Sequence, residues 1–431
     1  MQATESGRSS LPPVEECDVL SSPCMPSPLP TSGDHDSALS YICQKSTNQA
    51  SFAVPLNTCA KLAYALTARK LPRVAMSSQQ QDQQPSIAAD PHVVGDLEND
   101  NDSSADVESL RDSTASLRSS ILEYRNINGR HFQSSKTTDY WAPTDEKHIE
   151  GFDLAHQYML LLMDNKLYNA PIGNNPQRIL DIGTGTGIWA IDMADEFPSA
   201  EVLGTDISAV QPSWLPPNCK FEIDDAQLDW TFPVNHFSYI HARHLYGGID
   251  DWPKLYRQAF THCAPGGWFE NVEIELTTRT ENPRYTLGPG HVFTQWRDLF
   301  FAAGDKIGRT FRIAENNRME RDMRDAGFVD IVTHQWKVPI GGWASDPKLK
   351  KVGLFNGLFI DQSIDGFVVF PIGEILGWSF DEVTVLVANM RAALRDPKAL
   401  PYYNLHMVYG RKPDNAVSPP LAPQKSPSPP A

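Results

Sequence analysis

Arg178-Ile-Leu-Asp181-Ile-Gly183-Thr-Gly185-Thr-Gly187-Ile-Trp-Ala190 is the stretch that decides the fold. A short apolar strand, 178–182, runs into three alternating glycines. A helical pattern over 188–197 follows, until Pro198 stops it. Glycines between a strand and a helix permit a tight turn and a close backbone approach to a ligand. Downstream, residues 200–204, 219–223, 237–241 and 268–272 read as further strands, with a helix over 252–262. Upstream, 152–168 reads as a helix with apolar residues at 154, 158, 161 and 162. Strands alternating with helices predict an α/β fold with a mostly parallel sheet covered on both faces. Residues 327–333 and 402–409 read as late strands, each preceded by helical inserts.

The loop admits two ligand classes. Gly185-Thr-Gly187-Ile-Trp-Ala190 fits the GxGxxA pattern of dinucleotide binders. A pyrophosphate, however, wants positive potential and free N–H groups at the helix start. Here Asp181 precedes the loop, and no Lys or Arg occurs between 179 and 219. S-adenosylmethionine carries no phosphate; its ammonium and sulfonium suit a carboxylate. A Walker A loop is excluded, because no Lys-Ser/Thr pair follows the glycines. Asp206 ends the second strand, 19 residues after Gly187, where a carboxylate can bridge ribose hydroxyls. Asp224-Asp225-Ala226 ends the third strand, and a carboxylate there can accept from an adenine amino group. Each acid alone could be an ordinary solvated strand end. Together with the glycine loop they border one crevice at the switch point of an open sheet.

Composition narrows the rest. The chain has 431 residues, 37 basic against 53 acidic side chains, and a net charge of −16. Phosphate-driven nucleic-acid binding needs a basic patch, so direct nucleic-acid contact is not expected. Six Cys without a CxxC pair exclude a disulfide framework or a Cys-rich zinc site. The longest apolar run, Met159–Met163, is far short of a bilayer span, and no secretory signal opens the chain. Residues 1–120 carry 8 Lys/Arg and 15 Asp/Glu, while all ten Trp lie from Trp141 onward. Such a segment cannot bury enough apolar surface to offset its ordering entropy, so 1–119 is expected to be disordered. Within it, 37–81 lacks acidic residues, and Met76 is a candidate alternative start. The tail 413–431 holds seven Pro and is expected to be a disordered Pro/Ser segment. The folded domain is therefore placed at 120–412.

The run Arg178-ILDIGTGTGIWAIDMADEFPSAEVLGTDIS, with Gln211-PSWLPPNCKFEIDDA, Asp251-WPKLYRQAF and Ala264-PGGWFE, resembles class I S-adenosylmethionine-dependent methyltransferases. Within them it is similar to the fungal LaeA-like group. Tyr124-RNINGRHF, Tyr140-WAPTDEKHIE, Asp164-NKLYNAPI and Tyr402-YNLHMVYGRKP extend that resemblance over about 120–413. The resemblance implies a Rossmann-like seven-stranded sheet whose last strand is antiparallel. It assigns Asp181, Gly183, Gly185 and Gly187 to the methionine end of the cofactor, Asp206 to the ribose and Asp225 to the adenine. It also implies a regulator of secondary metabolism and development that works in the nucleus, or otherwise the cytoplasm, with velvet-family proteins. Related proteins look like pathway enzymes acting on small molecules, and a cofactor-binding complex subunit with little turnover is a further alternative.

The acceptor side is thinner. His241-Ala-Arg243-His244-Leu-Tyr246 follows the fourth strand, so His241 or His244 is a candidate base. The same pair could be helix-start histidines satisfied by backbone. Their i,i+3 spacing suits a metal, but no carboxylate ligand pattern accompanies it, so none is expected. Arg243 could hold an acidic acceptor or brace the fold. No Asn-Pro-Pro-Tyr motif and no Pro-Cys nucleophile occurs, which argues against the usual exocyclic-amine and cytosine chemistries.

Overall fold

The structure, a computed structural model, describes residues 124–135, 137, 138 and 140–416. The disorder expected for 1–119 and for the tail beyond 416 lies outside the described residues.

The described chain opens with a hairpin, β1 (Tyr124–Ile127) and β2 (Arg130–Gln133). Asn128 and Gly129 turn it with φ of 49° and 76°, the left-handed pair that a two-residue hairpin turn demands. Helix α1 (Glu146–Leu162) follows, its start fixed by Asp145, whose side chain accepts from the His148 amide. That cap places α1 six residues earlier than the apolar periodicity implied. Asp164 and Asn165, both left-handed with φ of 58° and 60°, end it before the expected 168.

Next come β3 (Arg178–Ile182), α2 (Ile188–Glu196), β4 (Glu201–Asp206), β5 (Cys219–Ile223), β6 (Phe237–Arg243), α3 (Trp252–His262) and β7 (Cys263–Ile274). The last third holds β8 (Arg279–Thr280), α4 (Val292–Ile307), α5 (Arg318–Asp325), β9 (Val329–Pro339), α6 (Pro347–Val368), α7 (Phe380–Arg395) and β10 (Pro401–Arg411).

The sheet runs β5-β4-β3-β6-β7-β10, and β9 pairs with the far edge of β10 beside the two-residue β8. Strands β3 to β7 are mutually parallel. β10 is antiparallel to both β7 and β9. The expected seven main strands with an antiparallel last strand are present. β3 lies between β4 and β6, so strand order reverses there and a crevice opens at the carboxyl ends of these strands.

Both faces of the sheet are covered. On one, Ile179, Val202 and Tyr239 pack against Trp189 and Met193 of α2. On the other, Leu180, Ile240 and Phe269 pack against Trp252 and Tyr256 of α3. Trp189 and Trp252 are almost fully buried, and truncating either to Ala should cost about 3–5 kcal/mol. α6 lies along α1 closely enough that a Cβ on Gly151 would meet Ser363 Oγ at 2.4 Å. With its continuation to Ile375, α6 has the length and apolarity of a membrane span, yet half of that window is buried within this fold.

Candidate active site

A crevice opens above β3, β4, β5 and β6. Its floor is the glycine loop. Its roof is formed by Thr138, Tyr140, Pro143 and Thr144 and by the inner face of α1, with His148, Ile149 and Phe152.

Gly183, Gly185 and Gly187 all adopt left-handed φ, of 65°, 58° and 79°. A Cβ on Gly183 would meet Leu245 at 2.4 Å, and one on Gly187 would meet the Phe221 ring at 2.3 Å. A Cβ on Gly185 would meet nothing within 4 Å, so this glycine presents bare backbone to the crevice. Three of the loop's amides are already engaged. Thr184 N donates to Thr205 O, Gly187 N to Thr184 O, and Gly185 N to Asp206 Oδ2 at 2.8 Å. A pyrophosphate would have to compete for them, which weighs against the dinucleotide reading.

Asp206 and Asp225 reach the crevice as expected from the strand ends. Asp206 also accepts from Ser208 N at 2.9 Å, and burial pushes its pKa up to about 6 against these two amide donors. Asp225 accepts from Thr138 Oγ1 at 2.6 Å and from Gln227 N at 3.0 Å. Gln227 in turn donates its side-chain amide to Thr138 Oγ1. Thr138 therefore ties the roof to the third strand end.

Asp181 stands apart from its expected role. It is 2% exposed and lies beneath the loop, not in the crevice wall. Its carboxylate bonds His241 Nδ1 at 2.8 Å and Thr184 Oγ1 at 2.6 Å, so it shapes the loop from below. His241 goes with it: buried, stacked on Trp189 at 3.8 Å, and turned away from the crevice. As a candidate base His241 is corrected by this placement, because it sits mid-strand facing α2. His244 lies one residue past the end of β6, with φ of 55°, and does line the crevice. Its Nε2 is buried and finds no hydrogen-bond partner among the described residues. Burial, with Arg243 and His241 nearby, lowers its pKa to about 3. Such a group stays neutral at physiological pH and is a weak general base there.

Arg243, a candidate either to hold an acidic acceptor or to brace the fold, lines the crevice. It donates to His156 Nδ1 at 3.0 Å, which leaves His156 Nε2–H to Asp192 at 2.8 Å. Other residues of the site carry no signal in the sequence. Glu273, fully buried on β7, accepts from the Leu245 and Tyr246 amides at 3.0 and 3.1 Å and fixes the loop after β6. Burial raises its pKa to about 8. Tyr140 covers the crevice, and burial with Asp206 and Glu273 nearby raises its phenol. No cluster of three metal-ligating side chains occurs among the described residues.

The residues present fit an adenosyl cofactor. Bare backbone at Gly185, two strand-end carboxylates and one guanidinium share a single cavity. Comparison with known proteins gives the family. Residues 154–333 match the family model described as a methyltransferase domain. The methyltransferase pytC of Aspergillus terreus is 36% identical over 280 residues, which are 65% of this chain and 85% of that one. A secondary metabolism regulator of Cochliobolus heterostrophus is 34% identical, over 66% of this chain and 94% of that one. The protein-methionine methyltransferase laeA of Emericella nidulans is 29% identical, over 68% and 77%. Among solved structures, a Haemonchus contortus phosphoethanolamine N-methyltransferase in complex with S-adenosyl-L-methionine is 19% identical, with a TM-score of 0.36, over 60% of this chain and 52% of that one. The chain belongs to the S-adenosylmethionine-dependent methyltransferases, in their LaeA-like group.

Proposed function

We propose that this chain is a methyltransferase acting in the control or the chemistry of secondary metabolism, with the crevice over Gly185 as its cofactor site. One observation carries the reading: a glycine loop with three of its amides bonded internally, faced by strand-end carboxylates in one cavity. In this reading Asp206 receives the ribose hydroxyls, Asp225 with its Thr138 clasp borders the adenine, and Arg243 receives the cofactor's carboxylate. When bound, the cofactor supplies a methyl on a sulfonium sulfur: one C–S bond breaks, the sulfur keeps the electron pair, and one bond forms to a nucleophilic atom of the acceptor. The chain's part is chiefly to position the acceptor and exclude water. The roof of Thr138, Tyr140, Pro143 and Thr144, tied down at Asp225, serves that exclusion.

Relatives named as regulators support a regulatory role, and the resemblance extends it to the nucleus and to velvet-family partners. The relative named pytC favours a second reading, direct methylation of a small molecule. Incubating the purified chain with methyl-labelled cofactor and cell extract separates them. Label in protein supports the regulatory reading, label in an extractable metabolite supports the second, and label in neither refutes turnover.

A further inference from the structure

Arg243 is a half-buried cation at the end of β6, and it lines the crevice. Three carboxylates stand near it, and each bonds elsewhere. Asp181 bonds His241 and Thr184, Asp192 bonds His156, and Asp153 accepts from Thr186 Oγ1 at 3.2 Å. A charge withdrawn from water without a counter-charge is costly. The charge of Arg243 is therefore left for an anion that enters the crevice.

Among the described residues the guanidinium bonds only the imidazole of His156 on α1, with Nη1 3.0 Å from Nδ1. The two groups fix the state of that ring. A guanidinium has only donors, so Nδ1 is the acceptor and carries no proton. The other nitrogen, Nε2, stands 2.8 Å from Asp192 Oδ2 on α2 and donates to that carboxylate. His156 is thus a neutral ring in one tautomer, buried between a cation and an anion. Burial lowers its pKa against the pull of Asp192, and Arg243 adds to the fall.

A carboxylate at position 156 would also hold the guanidinium, but it would cancel its charge. A neutral acceptor fixes the direction and leaves the charge intact. Arg loses much rotamer freedom when a ligand immobilises it, so a guanidinium already aimed gives up less on binding.

We propose that His156, locked by Asp192, is a positioning residue: its bare Nδ1 aims Arg243 at the carboxylate of the cofactor's amino-acid end without neutralising it. The proposal rests on the reading above that Arg243 receives that carboxylate.

The test is calorimetric titration of the purified full-length chain with two ligands. One is S-adenosylhomocysteine; the other is its decarboxylated analogue, which keeps the adenosine, the thioether and the amine. The wild type should prefer the first by roughly 10- to 150-fold, the range for hydrogen bonds to a charged group. His156→Leu fills the space without an acceptor and should cut that preference at least about fivefold, while affinity for the decarboxylated ligand stays within about twofold. His156→Asn returns an amide oxygen near the place of Nδ1 and should recover most of the preference. Asp192→Ala frees the tautomer from a partly exposed position and should lower the preference in the same direction, which keeps the test open if His156→Leu does not fold. Arg243→Met should abolish the preference. If it does, but His156→Leu and Asp192→Ala keep the wild-type preference, the carboxylate reading stands and the positioning role is overturned. An equal loss of both ligands in His156→Leu makes the residue a support of the fold alone and overturns the role as well. A preference that survives Arg243→Met, or is absent from the wild type, removes the carboxylate reading and this proposal with it.

Discussion

Asp206 links the protonation state of the free chain to its affinity for cofactor. Burial raises its pKa from 3.8 to about 6, and the Asp181 carboxylate beneath the loop pushes the same way. Its oxygens already accept from Gly185 and Ser208, so ribose hydroxyls would donate to the remaining lone pairs. Only the ionised form accepts them fully. Cofactor binding should therefore drive off a proton wherever the free site is protonated, and affinity should fall as pH falls through about 6. At about pH 5 roughly nine in ten sites are protonated, which predicts about 10-fold weaker binding than at about pH 8. Asp206→Asn keeps the shape and removes the charge. Hydrogen bonds to a charged group contribute about 1.5–3 kcal/mol, so the variant should bind roughly 10- to 150-fold more weakly at the higher pH. It should also lose most of the pH dependence. Calorimetric titration with S-adenosylhomocysteine across that range measures both. A wild-type affinity that is flat with pH, or an Asn variant that binds as tightly as wild type, would refute the ribose role of Asp206.

Three further outcomes follow from the geometry. Gly187→Ala should lower the melting temperature sharply, because its Cβ would meet the Phe221 ring at 2.3 Å. Gly185→Ala, facing open space at φ of 58°, should cost only about 1–2 kcal/mol of stability yet lose cofactor affinity; equal melting losses in the two would contradict this. Glu273, raised from 4.5 to about 8, holds its proton more tightly folded than unfolded. Its contribution to stability should therefore decline as pH rises from about 4.5 to about 8, and chemical denaturation of Glu273→Gln should show a shallower decline than wild type, by up to about 1.4 kcal/mol per pH unit. Thr138→Val removes the hydroxyl that clasps Asp225 and should raise amide exchange in the roof segment while leaving the global melt within a few degrees; unchanged exchange would mean that the clasp does not hold the roof.

The parallel strands were legible because a strand buried on both faces reads as a mostly apolar run, as in Ile179 to Ile182 around Asp181, and because glycine or an acid punctuates its end. Asp206 and Asp225 were legible for the same reason, since strand ends converge at a switch point. Asp181 was not: pattern places it at the strand's end but does not say that its carboxylate turns under the loop toward His241. The two histidines share a spacing but not an environment, because β6 ends between them at Arg243. The start of α1 was missed because its first turn is polar; Asp145 with its His148 contact was the available signal. Asn128-Gly129 was the unread signal for the hairpin. Glu273 gave no local signal, since its role depends on the Leu245 and Tyr246 amides brought to it from another strand's end.

The central claim is that the crevice is built for an adenosyl ligand without phosphates. Calorimetric titration of the purified full-length chain with S-adenosylhomocysteine and, separately, with NAD tests it most directly. The account predicts a dissociation constant in the range of about 1–100 μM for the first and no binding of the second. Tight NAD binding, with none for the adenosyl ligand, would contradict it.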